Sequence, residues 1–201
     1  MSHESFTLTD SRLPLEVEAL LLPEVLECLL HHILFHRALA GKAVLPKDMV
    51  ILDEVFYAKC DDQALDKQVR DSVEAAVSVL KKTDGGGKVS LILYEKEKPG
   101  GMWGKTKFGP WEEWSIHLAV RTEPVFGHRE ETLRRKELQG RVRDTLWRVH
   151  SIINSCRKHL PKQGISNDSS VCYPFEIKDP SHHRGSVLAL LSRVTQADGK
   201  Q

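Results

Sequence analysis

Two runs of alternating apolar and polar residues near the middle of the chain constrain the fold more than any other feature. Apolar side chains occupy every second position from Val89 to Leu93, and again from Trp114 to Val120. A period of two is typical of a β-strand with one buried face. Because only the segment 98–110 separates the two runs, they are predicted to form a β-hairpin, so at least part of the sheet is antiparallel.

Three segments have the apolar spacing of helices. Residues 23–38 begin with a proline, which suits a first helical turn, and their apolar positions cover more than one stripe. Residues 62–82 begin with Asp62, a good N-cap, and stop before three consecutive glycines. Residues 128–160 carry one long apolar stripe with many arginines on the other faces, and a proline follows them.

Further strands are predicted around these helices. Residues 13–19 alternate in polarity, residues 49–59 are rich in β-branched and aromatic types, and residues 171–177 form a short strand candidate. The apolar segment 187–194 fits either a helix or a strand. The order of elements predicts an α+β fold.

The length of 201 residues favours one domain over two. We expect a single domain over residues 1–201, with its core at about 13–180 and flexible ends at 1–12 and 195–201.

Composition argues against several classes of protein. Lys plus Arg number 29 and Asp plus Glu 28, so the formal net charge of +1 provides no electrostatic footprint for nucleic acid. Four cysteines without a CxxC pair, and a first segment without a signal-peptide pattern, predict a reduced, cytoplasmic protein. No apolar run approaches the roughly 18 residues of a membrane span.

Patterns that could support catalysis or metal binding are weak. Cys28, His32 and His36 are four residues apart on one predicted helix face, but zinc usually needs a fourth ligand, and none is visible. We therefore expect satisfied histidines and no metal. The sequence Gly85–Lys88 lacks the Ser or Thr and the helix that a phosphate-binding loop needs. No nucleophile motif is present, so neither a catalytic residue nor a cofactor is predicted, and the chain is not expected to be an enzyme.

The loop between the hairpin strands is the most informative feature for function. It is rich in glycine and proline, and it carries Met102, Trp103 and Phe108. Large apolar side chains on such a loop are retained mainly where a partner binds them, and Trp is enriched among binding hot spots. The alternative, left open by residue types alone, is that Trp103 folds back onto the sheet as a lid.

Several segments together resemble the autophagy-related protein 101 family. The resemblance rests on Leu29–Arg37, Leu93–Lys98, the Trp103 loop and Pro110–Val120, and it extends over roughly residues 13–180 by order of elements. The family resemblance implies a single HORMA domain, in which three helices back a mostly antiparallel sheet and the third helix is long and central. We expect a fungal member.

The resemblance also implies a role. Such a protein is a non-enzymatic scaffold of the autophagy-initiation kinase complex, which forms a heterodimer with the HORMA domain of autophagy-related protein 13 and stabilises it. It helps to recruit downstream factors to the phagophore assembly site, and in the family a Trp-Phe finger on the hairpin does so. Trp103 matches the tryptophan and Phe108 is the candidate for the phenylalanine, but four residues separate them where the family finger has the two nearly adjacent. Met102 is therefore a second candidate for the apolar tip.

The expected dimer surface is the exposed flank of the long helix near Arg134, Arg141 and Arg148, together with the adjoining sheet edge. Two other functions are alternatives. One is a checkpoint or meiotic HORMA adaptor that traps a partner peptide with its C-terminal segment by strand addition. The other is a metal-dependent enzyme built on Cys28 and its two histidines.

Overall fold

The computed structural model describes residues 3–38, 45–83, 85–97, 107–123, 127–156 and 173–181. Within these ranges the helices are Leu22–Arg37 (α1), Gln63–Leu80 (α2) and His128–Ser155 (α3). The strands are Glu4–Thr7 (β1), Leu15–Glu18 (β2), Pro46–Ile51 (β3), Val55–Cys60 (β4), Gly87–Glu97 (β5), Lys107–Arg121 (β6) and Phe175–Lys178 (β7). The predicted α+β class and three helices are confirmed.

The main sheet is built on the predicted hairpin. β5 and β6 pair antiparallel, and β7 pairs antiparallel with the outer edge of β5. On its other edge, β6 pairs in parallel with β1 and then with β2. The sequence predicts no strand before residue 13, but β1 extends the sheet because Phe6 packs on the buried Trp114, with ring centroids 4.9 Å apart.

The segment predicted as one strand over residues 49–59 is instead a separate two-stranded hairpin, β3–β4. The chain reverses at Leu52 and Asp53, whose φ angles are 50° and 68°. No glycine marks this turn, and non-glycine residues adopt positive φ only rarely, so residue types alone predict an uninterrupted strand. The carbonyl of Leu52 accepts a hydrogen bond of 2.6 Å from the Gln139 side chain of α3, which fixes the turn against that helix.

Helix α1 lies at the centre of the core. Its buried residues occur on several sides, in agreement with the predicted burial on more than one face, and it contacts α2, α3 and the β3–β4 hairpin. Helix α2 is capped as predicted, because the Asp62 carboxylate accepts hydrogen bonds from the backbone of Ala64 and Leu65 at 2.9 and 3.0 Å. Helix α3 buries its predicted stripe at Leu138, Val142, Leu146 and Val149.

The glycine run after α2 is a turn, as its sequence predicts. Gly86 has a φ of +111°, and a Cβ there would lie 2.1 Å from the carbonyl oxygen of Leu118 in β6. Only glycine allows this approach of the turn to β6. The segment leads directly into β5 and has no helix N-terminus to receive an anion, so it is not a phosphate-binding loop.

Candidate partner-binding surfaces

The predicted finger loop is described only in part. Met102 and Trp103 lie outside the described residues, whereas Phe108 is the second residue of β6, where it pairs with Lys96 of β5 and is half-buried. Phe108 thus belongs to the base of the hairpin. Strand β5 continues to Glu97 and β6 begins at Lys107, so a paired two-stranded base flanks the segment that contains Trp103.

The three arginines predicted for the dimer surface differ in their contacts. Arg141 donates a hydrogen bond to the carbonyl of Pro14 and lies 3.9 Å from the Glu16 carboxylate, so it attaches α3 to β2. Arg134 forms an ion pair of 2.6 Å with Glu130 on the same helix. Arg148 is exposed. The seven-residue spacing places all three on one line along α3.

A second line of residues beside these arginines is exposed and partly apolar. Leu133 and Trp147 lie at its two ends, with 59% and 68% of their surfaces accessible. Gly140 lies midway between them, and beyond its own helix no heavy atom comes within 4 Å of the position of a Cβ. The helix spacing brings these residues to one side, because they are seven residues apart. We call Leu133, Glu137, Gly140, Asp144 and Trp147 the α3 outer face.

At the N-terminal end of α3 the outer face borders an open depression. Its volume is about 420 Å³, and it is lined by Leu133, Arg134, Glu137 and Glu130 of α3 with Arg121 and Glu123 near the end of β6. An adjoining depression of about 230 Å³ includes Leu20, which is 90% exposed. Apolar and charged groups of both signs therefore meet at this end of the helix.

The β3–β4 hairpin has a smaller exposed apolar site. Val50 and Phe56 face each other across the two strands, and Phe56 is 72% exposed. The opposite face of the hairpin is buried through Ile51, Val55 and Tyr57. Phe56 therefore offers a large exposed aromatic group that is not on α3.

The histidines of α1 are not arranged as the sequence suggests. Cys28 is fully buried, and burial raises the pKa of its thiol well above the usual range. His32 and His36 instead meet His150 of α3, and the potential ligand atoms of the three rings lie within 4.8 Å of one another. His32 interacts with the Ala58 backbone, but neither of its ring nitrogens has a hydrogen-bond partner of good geometry among the described residues.

Burial explains the electrostatics of this cluster. It lowers the pKa of His32 to about 3, and His36 and His150 lower the pKa further, against a smaller opposite effect of the Ala58 backbone. Burial lowers the pKa of His36 to about 4, and the proximity of His150 and Arg37 acts in the same direction. The imidazoles of His32 and His36 are therefore neutral at pH 7.

Sequence reasoning missed Trp147, Gly140 and His150. Trp147 and Gly140 could have been found, because both fall outside the buried stripe of the predicted helix, and an exposed Trp is a frequent binding residue. His150 could not be paired with α1 from spacing alone, since the crossing point of α1 and α3 is a property of the tertiary packing.

No helix within the described ranges is long and apolar enough to cross a membrane. The sequence model of a family described as autophagy-related protein 101 matches residues 14–167. Autophagy-related protein 101 of Arabidopsis thaliana is 31% identical over 186 residues, which cover 83% of this chain and 84% of the plant protein. The protein of the same name from Schizosaccharomyces pombe is 24% identical over 162 residues, covering 81% of this chain and 82% of the yeast protein.

The family match extends from β2 through α3, and it includes both the hairpin base and the α3 outer face. These matches support a role in autophagy, while the expected fungal source stays a prediction. The chain belongs to the autophagy-related protein 101 family.

Proposed function

We propose that this protein is a non-enzymatic adaptor, a single HORMA domain with its core at about residues 13–180, that works in the autophagy-initiation kinase complex. It forms a heterodimer with the HORMA domain of autophagy-related protein 13 and stabilises that partner. It acts in the cytoplasm and recruits downstream factors to the phagophore assembly site. Membership in the family supports the autophagy role, and the exposed surface of α3 is the observation that carries the pairing.

The α3 outer face has the properties of a partner-binding surface. Trp147 is a large exposed aromatic side chain on a long helix, and Arg148 follows it directly in the chain. Both residue types are enriched in binding hot spots. Covering Trp147 removes apolar area from water, which contributes about 2–3 kcal/mol to association from area alone. Of the predicted arginines, Arg148 is assigned to the dimer surface, whereas Arg134 and Arg141 act from its edge through their contacts with Glu130 and Pro14.

Gly140 gives a second argument for the same surface. A glycine inside a long helix costs up to about 1 kcal/mol relative to alanine, and no described residue outside its own helix comes within 4 Å of the position of its absent side chain. Small residues on a helix surface permit close approach of another backbone. A partner element crossing α3 at Gly140, between Leu133 and Trp147, would make use of this space.

Recruitment is assigned to the tip of the β5–β6 hairpin. The paired base ends at Glu97 and Lys107, and Met102 and Trp103 lie between them in the chain. In this proposal Trp103 enters an apolar pocket of a downstream protein, Met102 supports it, and Phe108 acts from the hairpin base, where it is half-buried. Dimer formation and recruitment would then use separate surfaces.

Co-purification from cells tests both surfaces at once. Tagged full-length protein is compared with Trp147→Ala, with the double variant Met102→Ala and Trp103→Ala, and with Phe56→Ala, and bound proteins are identified by mass spectrometry. Phe56 is a matched control because its exposure of 72% is close to the 68% of Trp147. Circular dichroism establishes that each variant is folded.

The wild type and Phe56→Ala should both bring down autophagy-related protein 13 and kinase-complex subunits. Trp147→Ala should lose the HORMA partner, whereas the loop double variant should keep it and lose other proteins. If the wild type captures no HORMA partner, the adaptor function is wrong. Kinetic trapping of a peptide by the C-terminal segment would then become the first hypothesis.

A further inference from the structure

The three imidazoles of His32, His36 and His150 converge at the contact between α1 and α3. The ring centroids are 4.6 Å apart for His32 and His36, 4.9 Å for His32 and His150, and 4.5 Å for His36 and His150. Each pair of rings meets edge to face, with interplanar angles between 72° and 85°. Histidines at positions i and i+4 of one helix and a third on a facing helix are a common source of metal ligands.

We propose that His32, His36 and His150 bind a divalent transition metal, most suitably Zn²⁺, which links α1 to α3. This site differs from the Cys28, His32 and His36 set that the sequence offers, because His150 takes the place of the cysteine. The proposal does not depend on the identity of the protein partner.

The distances are compatible with a metal ion after small side-chain rotations. Tetrahedral zinc with Zn–N bonds of about 2.0–2.1 Å places its nitrogen ligands about 3.4 Å apart. The candidate atoms lie within 4.8 Å of one another, so rotations of the imidazoles can close the remaining difference. A set of three imidazoles favours Zn²⁺ over Mg²⁺ or Ca²⁺, which prefer oxygen ligands.

The hydrogen bonding of the cluster is the second observation. His32 is 4% exposed and interacts with the Ala58 backbone, but neither of its ring nitrogens has a hydrogen-bond partner of good geometry among the described residues. The Nε2 atom of His36 also lacks such a partner there. Buried polar atoms are normally satisfied, so these nitrogens require an explanation. A bound metal supplies one, because imidazole nitrogens are good ligands for transition metals.

The surroundings suggest a structural site with an accessible side. His150 is only half-buried, so water or a group from outside can complete the coordination. The adjacent indole of Trp147, with its centroid 5.9 Å from that of His150, covers part of the approach. Arg37 is the neighbouring positive charge, and it is held by Glu112 at 2.8 Å, which offsets its repulsion of a cation.

Zinc titration of the tag-free full chain after chelator treatment tests the site. Binding is measured by calorimetry, and stability by the unfolding midpoint with and without Zn²⁺. The variants are His150→Gln and His36→Gln, and the control is His128→Gln, which removes an exposed histidine from the first turn of the same helix. X-ray absorption at the zinc edge then identifies the bound atoms.

We expect one Zn²⁺ per chain, a raised unfolding midpoint, and nitrogen ligands at about 2.0–2.1 Å. Loss of a residue that only orients a metal ligand typically weakens binding about 10- to 100-fold, so removing a ligand itself in His150→Gln or His36→Gln should weaken it by at least that much. His128→Gln should bind as the wild type does. Equal binding by His150→Gln would overturn the proposal. Sulfur ligands at about 2.3 Å would also overturn it, since they would indicate adventitious binding to a cysteine.

Discussion

At the scale of single residues, the most unusual feature is a carboxylate in the apolar core. Glu112 is fully buried on the same face of β6 as Trp114, Ile116 and Leu118. It accepts hydrogen bonds from Nε of Arg37, at 2.8 Å, and from the indole of Trp114. The Arg37 guanidinium also lies 5.6 Å from the centre of the Trp114 ring. Since a buried charge is tolerated only when it is paired, this group fixes the end of α1 onto the sheet.

Replacing Arg37 with Ala should destabilise the fold by about 3–5 kcal/mol, because the Glu112 charge is left buried without its partner. The free energy of unfolding is measured from urea denaturation followed by circular dichroism. Lys47→Ala is the control, since Lys47 pairs with Asp61 at 3.8 Å on the exposed surface, where such a pair contributes about 0–1 kcal/mol.

The double variant Arg37→Met with Glu112→Gln separates the charge from the packing. The glutamine can still accept from Trp114, and no buried charge remains, so the double variant should recover most of the stability lost in Arg37→Ala. A double variant as unstable as Arg37→Ala would show that the loss comes from packing around Arg37 and not from the charge on Glu112.

At the scale of elements, α3 has a buried stripe on one side and the α3 outer face on another. At Gly140, on the outer face, no described residue of another element lies within 4 Å of the Cβ position. The buried stripe specifies where the helix lies in this chain, whereas Gly140 contributes nothing to that packing. Measuring the stability of variants at Gly140 therefore tells whether the fold itself needs glycine at this position or whether only a partner does.

Gly140→Ala should stabilise the isolated chain by up to about 1 kcal/mol, because alanine is the better helix former and its methyl group meets open space. Gly127→Ala, at the N-cap of the same helix, should destabilise it, since Gly127 has a φ of +100°. Both are measured by urea denaturation.

The longer side chain of Gly140→Lys should leave the fold intact but reduce co-purification of the HORMA partner. If Gly140→Lys binds the partner as well as the wild type, the contact does not cross α3 at this residue.

The elements themselves follow largely from sequence pattern. The apolar periods predicted α1, α2, α3 and the β5–β6 hairpin, since each of these patterns is long enough to specify its own geometry. The β3–β4 turn was missed because Leu52 and Asp53 adopt positive φ without glycine. The buried pairing of Glu112 and the approach of His150 to His32 and His36 were missed for another reason, because these partners come from other elements and depend on tertiary packing.

At the scale of the whole molecule, the described tryptophans divide clearly by environment. Trp111 and Trp114 are buried in the core, with 1% and 0% of their surfaces exposed, whereas Trp147 is 68% exposed on α3. Trp103, the fourth tryptophan of the chain, belongs to the hairpin segment assigned to recruitment. Replacing Trp103 with Phe therefore leaves Trp147 as the exposed indole on the described surface.

In the Trp103→Phe protein, iodide should quench the fluorescence of Trp147 but not that of the two buried indoles. Adding the purified HORMA domain of autophagy-related protein 13 should suppress this quenching, because the partner covers the α3 outer face, and should shift the emission to shorter wavelength. The double variant Trp103→Phe with Trp147→Phe provides the baseline, including any signal from tryptophans of the partner. If gel filtration shows that the complex forms but iodide still quenches Trp147, the dimer surface lies away from the α3 outer face. The exposed pair Val50 and Phe56 on the β3–β4 hairpin is then the alternative surface.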